Sequence, residues 1–162
     1  MKKASITIFV VIGIVLAAGL LIFIFQGFNS SPADINCPDA KTDIEISRCL
    51  LNISTETNNE ALCEEIPLDA YKAGCYKSIA RIRLDESFCT WALIQEENCY
   101  YELADLKNDE AICENLKEQN IKDGCYFQMA ALKKDVSLCE KISDEYSRTT
   151  DCPREVSRVS RN

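Results

Sequence analysis

Residues 109–135, DEAICENLKEQNIKDGCYFQMAALKKD, decide the fold of this chain. Two cysteines, Cys113 and Cys125, stand 12 residues apart within it. Asp109 suits a helix N-cap, Glu110 after it complements the helix dipole, and Asp135 opens the same pattern again. Ile112, Cys113 and Leu116 fall on one face of a short helix, and Met129, Ala130 and Leu132 follow Cys125 at helical spacing.

The frame recurs along the chain. Cys37, Cys63, Cys89, Cys113 and Cys139 form one series, with steps of 26, 26, 24 and 26 residues. Cys49, Cys75, Cys99, Cys125 and Cys152 form a second, with steps of 26, 24, 26 and 27. Asn59, Asp85, Asp109 and Asp135 each precede the next first-series cysteine by four residues, as N-caps would. Leu62, Phe88, Ile112 and Leu138 stand just before that cysteine, and Ile66, Leu116 and Ile142 three residues after it. The second series is followed by Ile79, Ala80, Ile82; Leu103, Ala104, Leu106; Met129, Ala130, Leu132; and finally Val156, Ser157, Val159. A small residue between two apolar ones lets another helix approach closely. Tyr76, Tyr100 and Tyr126 follow the cysteine directly, with Pro153 in the last copy. Each unit therefore predicts a hairpin of two helices of roughly 8–14 residues. Stacking about five such hairpins supplies a continuous core.

Spacing within a unit is 12, 12, 10, 12 and 13 residues, whereas the step from one unit to the next is always 14. Pairing within units, 37–49, 63–75, 89–99, 113–125 and 139–152, uses all ten cysteines. Pairing across units leaves Cys37 and Cys152 over, at opposite ends. Pairing within units is the expectation, and connectivity is otherwise open to the alternatives that ten cysteines allow. Each such loop contributes about 3 kcal/mol in the chain-entropy model.

The cysteine usage points to an oxidising compartment. There is no Cys-x-x-Cys and no histidine, which argues against a zinc site, thioredoxin-like exchange and histidine-based catalysis. The chain has no phosphate loop, dinucleotide fingerprint or Gly-x-Ser-x-Gly, and no cofactor is expected. A catalyst built only from carboxylates is the remaining enzymatic option; the expectation is of no catalysis. No Asp-x-Asp-x-Asp-Gly loop is present, so the acidic surface reads as solvated rather than as a divalent-cation site. Beyond residue 27 there are 16 basic and 26 acidic side chains, a net charge of −10 that repels nucleic acid. Arg148, Arg154, Arg158 and Arg161 read as a solvated terminal helix face, diluted by Asp151 and Glu155.

Ile6 to Phe25 is a run of 20 residues with no charge. At ~1.5 Å per residue, a helix of that length spans ~30 Å, a bilayer core. Lys2 and Lys3 precede it and Asp34 is the first charge after it, so the positive-inside bias places the N-terminus in the cytoplasm and the cysteines outside. A cleaved secretory signal, with Ser31-Pro32-Ala33 as its site, expects a shorter core of about 7–15 residues. Gly13 and Ala17 form a small-xxx-small pair that suits close helix approach. The expected fold class is thus all-α. Residues 1–5 are cytoplasmic, 6–25 transmembrane, 26–33 a linker, and 34–162 an extracytoplasmic disulfide-stapled α-hairpin repeat, a short α-solenoid. Asn29 and Asn52 stand in Asn-x-Ser sequons.

Two resemblances bear on this. Lys3-Ala4-Ser5 directly before the apolar run resembles the processing site of archaeal type IV pilin-like proteins. That resemblance implies cleavage after Ala4 and a filament subunit, although Phe9 stands where that family carries a glutamate. The repeat resembles cysteine-repeat ectodomains of archaeal single-span membrane proteins, a likeness that implies no activity.

The expected partner is another extracytoplasmic protein, since two-helix repeats offer surfaces. Trp91 stands where other units have Glu65, Asn115 and Lys141, and Tyr101 and Phe127 where another has Lys77. These three aromatics are the candidate partner-binding residues. The competing expectation packs them against a neighbouring hairpin, compensating for the short third loop.

Overall fold

Asp85, Asp109 and Asp135 each accept a backbone hydrogen bond from the residue two further on, at 3.0, 3.0 and 2.9 Å. Asn59 accepts the same bond from Ala61 at 3.2 Å. The residues just before them, Asn58, Leu84, Asn108 and Lys134, adopt left-handed φ values of 51°, 52°, 51° and 57°. The cap's own N–H then reaches back to Ser54, Ala80, Ala104 or Ala130 carbonyl oxygen, at 2.9–3.0 Å. This is a Schellman closure, so one two-residue joint ends a helix and begins the next. It recurs at every junction between units, which is why the 14-residue step does not vary.

The computed structural model describes residues 37–161. The expected span Ile6–Phe25 and the linker 26–33 lie outside the described residues. The chain from Ala40 onward forms one compact unit. Its α-helices are α1 (Asp43–Thr57), α2 (Ala61–Glu64), α3 (Asp69–Arg83), α4 (Glu96–Lys107), α5 (Gln119–Lys133) and α6 (Cys152–Val159). Between them lie 3-10 helices at Glu86–Trp91, Leu93–Gln95, Glu110–Asn115 and Val136–Lys141. No strand occurs among the described residues, and none of their helices is long and apolar enough to cross a membrane.

Four cysteine pairs join as expected: Cys63–Cys75, Cys89–Cys99, Cys113–Cys125 and Cys139–Cys152, with Cα–Cα distances of 5.4–5.8 Å. Cys37 and Cys49 are also disulfide-bonded. Pairing within units is therefore the connectivity.

The expected equal hairpins need correction. The second helices are long, 15 residues in α1, α3 and α5. The first helices are single short turns, of four residues in α2 and six in each 3-10 helix around Cys89, Cys113 and Cys139. The cause lies at the residue three past the cysteine. Leu116 and Ile142 are buried in extended conformation, with ψ of 132° and 129°, and this ends the helix to bury their side chains. The first unit has no first helix within the compact unit; α1 starts directly from a capping box in which Thr42 and Glu45 exchange hydrogen bonds.

Two departures in spacing are absorbed locally. The 13-residue separation of the last pair carries one extra residue, and a π-helical turn at Ser147–Asp151 takes it up before α6. The 10-residue separation of the third pair removes the first turn of α4, which has 12 residues. There the connection runs through the short 3-10 turn Leu93–Gln95, and Leu93 itself takes φ 46°.

The core follows from helix geometry. At about 100° per residue, positions 0, +1, +4 and +5 from the second-series cysteine centre near 70° on the helix wheel. Accordingly Cys75, Tyr76, Ile79 and Ala80 are buried, as are Cys99, Tyr100, Leu103, Ala104 and Cys125, Tyr126, Met129, Ala130. Position +7 lies about 90° from that centre. Ile82, Leu106 and Leu132, expected to pack inward, are consequently half exposed, at 50, 50 and 48 %.

Candidate interaction surface

The third unit differs from its sisters in the loop Thr90–Gln95. Three residues past the first-series cysteine the other units bury Ile66, Leu116 and Ile142; here the slot holds Ala92, which is fully buried. A small residue in a large residue's place, with two residues missing from the loop, draws the backbone in. The side chains on either side turn outward: Trp91 is 58 % exposed, Leu93 51 % and Ile94 78 %. Leucine at positive φ costs about 1–2 kcal/mol. Such strain persists only where the surroundings over-determine it.

The loop is held on both sides. The Trp91 ring meets Tyr76 of α3 with centroids 6.2 Å apart and planes tilted by 36°. Tyr76 donates its hydroxyl to Glu64, to which Lys72 also approaches at 3.6 Å. The Tyr76 phenol is pushed up by burial and then by its carboxylate partner, while the phenol's hydrogen bond holds Glu64 low. Beyond the loop, Gln95 Nε2 donates to the Ala70 carbonyl at 3.5 Å, passing close over Gly74.

The three aromatics do not form one patch through direct ring contact. Among the described residues the ring pair involving Trp91 is with Tyr76. Tyr101 is half-buried and lies 3.9 Å from where a side chain on Gly124 would begin, so it packs toward α5. Phe127 is half-buried and lines a hollow of about 330 Å³ with Asn120, Asp123, Gly124, Ile142, Asp144 and Ser147. Leu93 and Ile94 accompany Trp91 instead. Sequence comparison among units could have found them: the aligned positions hold Lys117 and Glu118 in one sister, Ser143 and Asp144 in another.

A second apolar column, Ile82, Leu106 and Leu132, runs along the second helices, one residue per unit. Ile82 and Leu106 flank a hollow of about 490 Å³ together with Thr55, Ser78, Arg81 and Leu84.

The acidic side chains are largely engaged in structure. Glu60, Glu86 and Glu110, read from sequence as complements to the helix dipole, also bind Arg83, Lys107 and Lys133 at the end of the following helix. Glu97 accepts the Lys117 N–H at 3.0 Å, and Asp123 accepts from Ser143 N and Oγ at 3.0 and 2.5 Å and from Asp144 N at 3.2 Å. These bonds join one unit to the next. Burial pushes Asp123 up, but the bonds from Ser143, Gln119 and Asp144 outweigh it and hold the carboxyl low. No group of three or more potential metal ligands gathers among the described residues. Arg154 and Arg158 pair with Asp151 and Glu155 on their own helix, at 3.2 and 2.5 Å. Asn52 is exposed on α1, whereas its sequon partner Ser54 is buried.

Comparison with protein-family models, with curated proteins and with solved structures returns no match.

Proposed function

We propose that this protein is a membrane-anchored, extracytoplasmic module that works by binding or scaffolding other molecules and not by catalysis. The exposed apolar loop Trp91–Ile94, set on a rigid disulfide-stapled stack, is the observation that carries this reading. The disulfides themselves support an oxidising location outside the cytoplasm, and the uncharged run Ile6–Phe25 supports a single span with the N-terminus inside. The carboxylates with displaced titration, among them Glu60, Glu64, Glu110 and Glu114, are all held low. A general acid needs the opposite displacement, so their setting supports a binding role.

The anchor is tested by alkaline extraction of membranes, where the chain stays in the pellet, and by reduction followed by a membrane-impermeant thiol reagent, which labels the cysteines in intact cells. Labelling only after lysis overturns the topology. Binding is tested by affinity capture with wild type against Trp91→Ala, where a specific partner is lost with the variant. The second reading, a pilin-like subunit of a surface filament, is favoured by Lys3-Ala4-Ser5 before the apolar run. A mature N-terminus at Ser5 supports it, and an intact Met1 or Lys2 sinks it.

A further inference from the structure

We propose that the Trp91–Ile94 loop docks into a lipid bilayer, inserting Trp91, Leu93 and Ile94 at the interface of the membrane that the chain's own Ile6–Phe25 segment enters. This deepens the anchoring reading above and rests on it.

The sister units serve as internal controls for this loop. They share its frame, its caps and its disulfide, yet carry polar or charged residues at nearly every equivalent outward position: Glu65, Asn115 and Lys141 in place of Trp91; Lys117 and Ser143 in place of Leu93; Glu118 and Asp144 in place of Ile94. The stack therefore folds without apolar side chains there. In the third unit they are exposed by more than half, against a backbone held at positive φ and pinned by buried Ala92. A folding role explains none of these features together.

The chemistry and size of the tip favour lipid. Tryptophan and two aliphatic neighbours match the interfacial belt of membrane proteins, in which the ring lies among acyl chains and the indole N–H meets headgroups. Three side chains on one loop fall far short of the ~1,200–2,000 Å² that a stable protein interface buries. A tethered domain needs much less, because the tether sets an effective concentration in the millimolar range. The tether also reaches. The 12 residues from Phe25 to Cys37 extend up to about 40 Å. Helices pack about 8–10 Å apart, so α4 lies about 20 Å along the stack from α1. Glu96 and Glu97, which open α4 beside the loop, set the preference for neutral over anionic headgroups.

Trp91 is the only tryptophan in the chain, so its fluorescence reports this loop alone. The full chain is reconstituted into phosphatidylcholine nanodiscs, with and without brominated acyl chains. The expected result is blue-shifted Trp91 emission, strongly lost with brominated lipid and protected from aqueous acrylamide. Replacing part of the lipid with phosphatidylserine reduces that loss. Ile94→Glu, at the most exposed of the three positions, restores red emission and acrylamide quenching while helical circular dichroism is unchanged. Red emission quenched by acrylamide in the wild type overturns the docking. So does blue emission insensitive to brominated lipid, which places Trp91 against protein. A chain that fails to co-purify with the discs overturns the anchor and the docking together, whereas retention with a solvent-exposed Trp91 overturns the docking alone.

Discussion

Ser54 places its hydroxyl 3.0 Å from the Cys75 sulfur and 3.3 Å from that of Cys63. The residue is fully buried near the end of α1, so it closes one face of the next unit's disulfide. At the same frame position the following units bury Ala80, Ala104 and Ala130. The site therefore tolerates a small side chain and has no room for a larger one. Ser54→Ala is expected to leave stability within about 1 kcal/mol, because only a weak hydroxyl–sulfur contact is lost. Ser54→Leu is expected to cost about 1–3 kcal/mol by overpacking. Thermal unfolding of the two variants checks this, and a tolerated leucine would mean that the inter-unit packing is looser than described.

Leu84 occupies the left-handed joint that Asn58 and Asn108 fill elsewhere, and its side chain is 46 % exposed. Asparagine tolerates that conformation, while leucine pays a steric penalty of about 1–2 kcal/mol. Leu84→Asn is expected to raise stability by roughly 1 kcal/mol, read as a higher midpoint in denaturant at unchanged slope. A lower midpoint would show that Leu84 contributes apolar contact, as a wall of its hollow, that outweighs the strain.

Asp123 links α5 to the following unit through Ser143 and Asp144. Asp123→Ala removes acceptors from two backbone N–H groups at once, a loss on the scale of a helix cap, about 1 kcal/mol. Because a stack transmits stability only between neighbours, the effect is expected to concentrate in the last hairpin. Hydrogen exchange resolves it: amides of residues 136–159 lose protection while those of α3 keep theirs. Uniform loss across the stack would refute the local picture.

Acid and alkali are expected to weaken the stack for different reasons. Glu64 and Glu114 are held low by the hydroxyls of Tyr76 and Tyr126, and Glu110 by Lys133. A carboxylate depressed in the folded state adds stability above its unfolded value and loses it as pH falls through the folded one. The loss therefore begins near the ordinary glutamate value of 4.5 and grows below it. Tyr76 and Tyr126 are displaced upward, so their contribution is complete below the ordinary tyrosine value of 10.0 and disappears as pH rises beyond it. Melting temperature against pH is expected to be flat between these limits. In Tyr126→Phe with Glu114→Gln both shoulders shrink.

Each disulfide closes a loop of similar size, so the chain-entropy contribution is about 3 kcal/mol for any of them. Position in the stack separates them further. Replacing Cys113 and Cys125 by alanine interrupts the interior, whereas replacing Cys139 and Cys152 frays one end. The interior pair is expected to lower the melting temperature more, under otherwise identical oxidising conditions. Equal losses would argue that the units melt independently.

Much of this architecture was legible before any coordinates, because the signals that carried it are local. A cysteine frame with an invariant 14-residue step, and Asp85, Asp109 and Asp135 four residues ahead of Cys89, Cys113 and Cys139, determine the repeat, its caps and its pairing. Caps and short disulfide loops depend on neighbours within a dozen residues, and those are written in order along the chain. Only the tertiary structure decided how the frame is filled. That the first helices shorten to single turns follows from Leu116 and Ile142 being drawn into the core. That Ile82, Leu106 and Leu132 face outward follows from where the adjacent helix ends its contact. Among the aromatics, Tyr101 and Phe127 settle toward the following unit, whereas Trp91 stands out with Leu93 and Ile94. Composition is the same in kind at all three, and exposure is set by how the next hairpin seats, a non-local property that no spacing encodes.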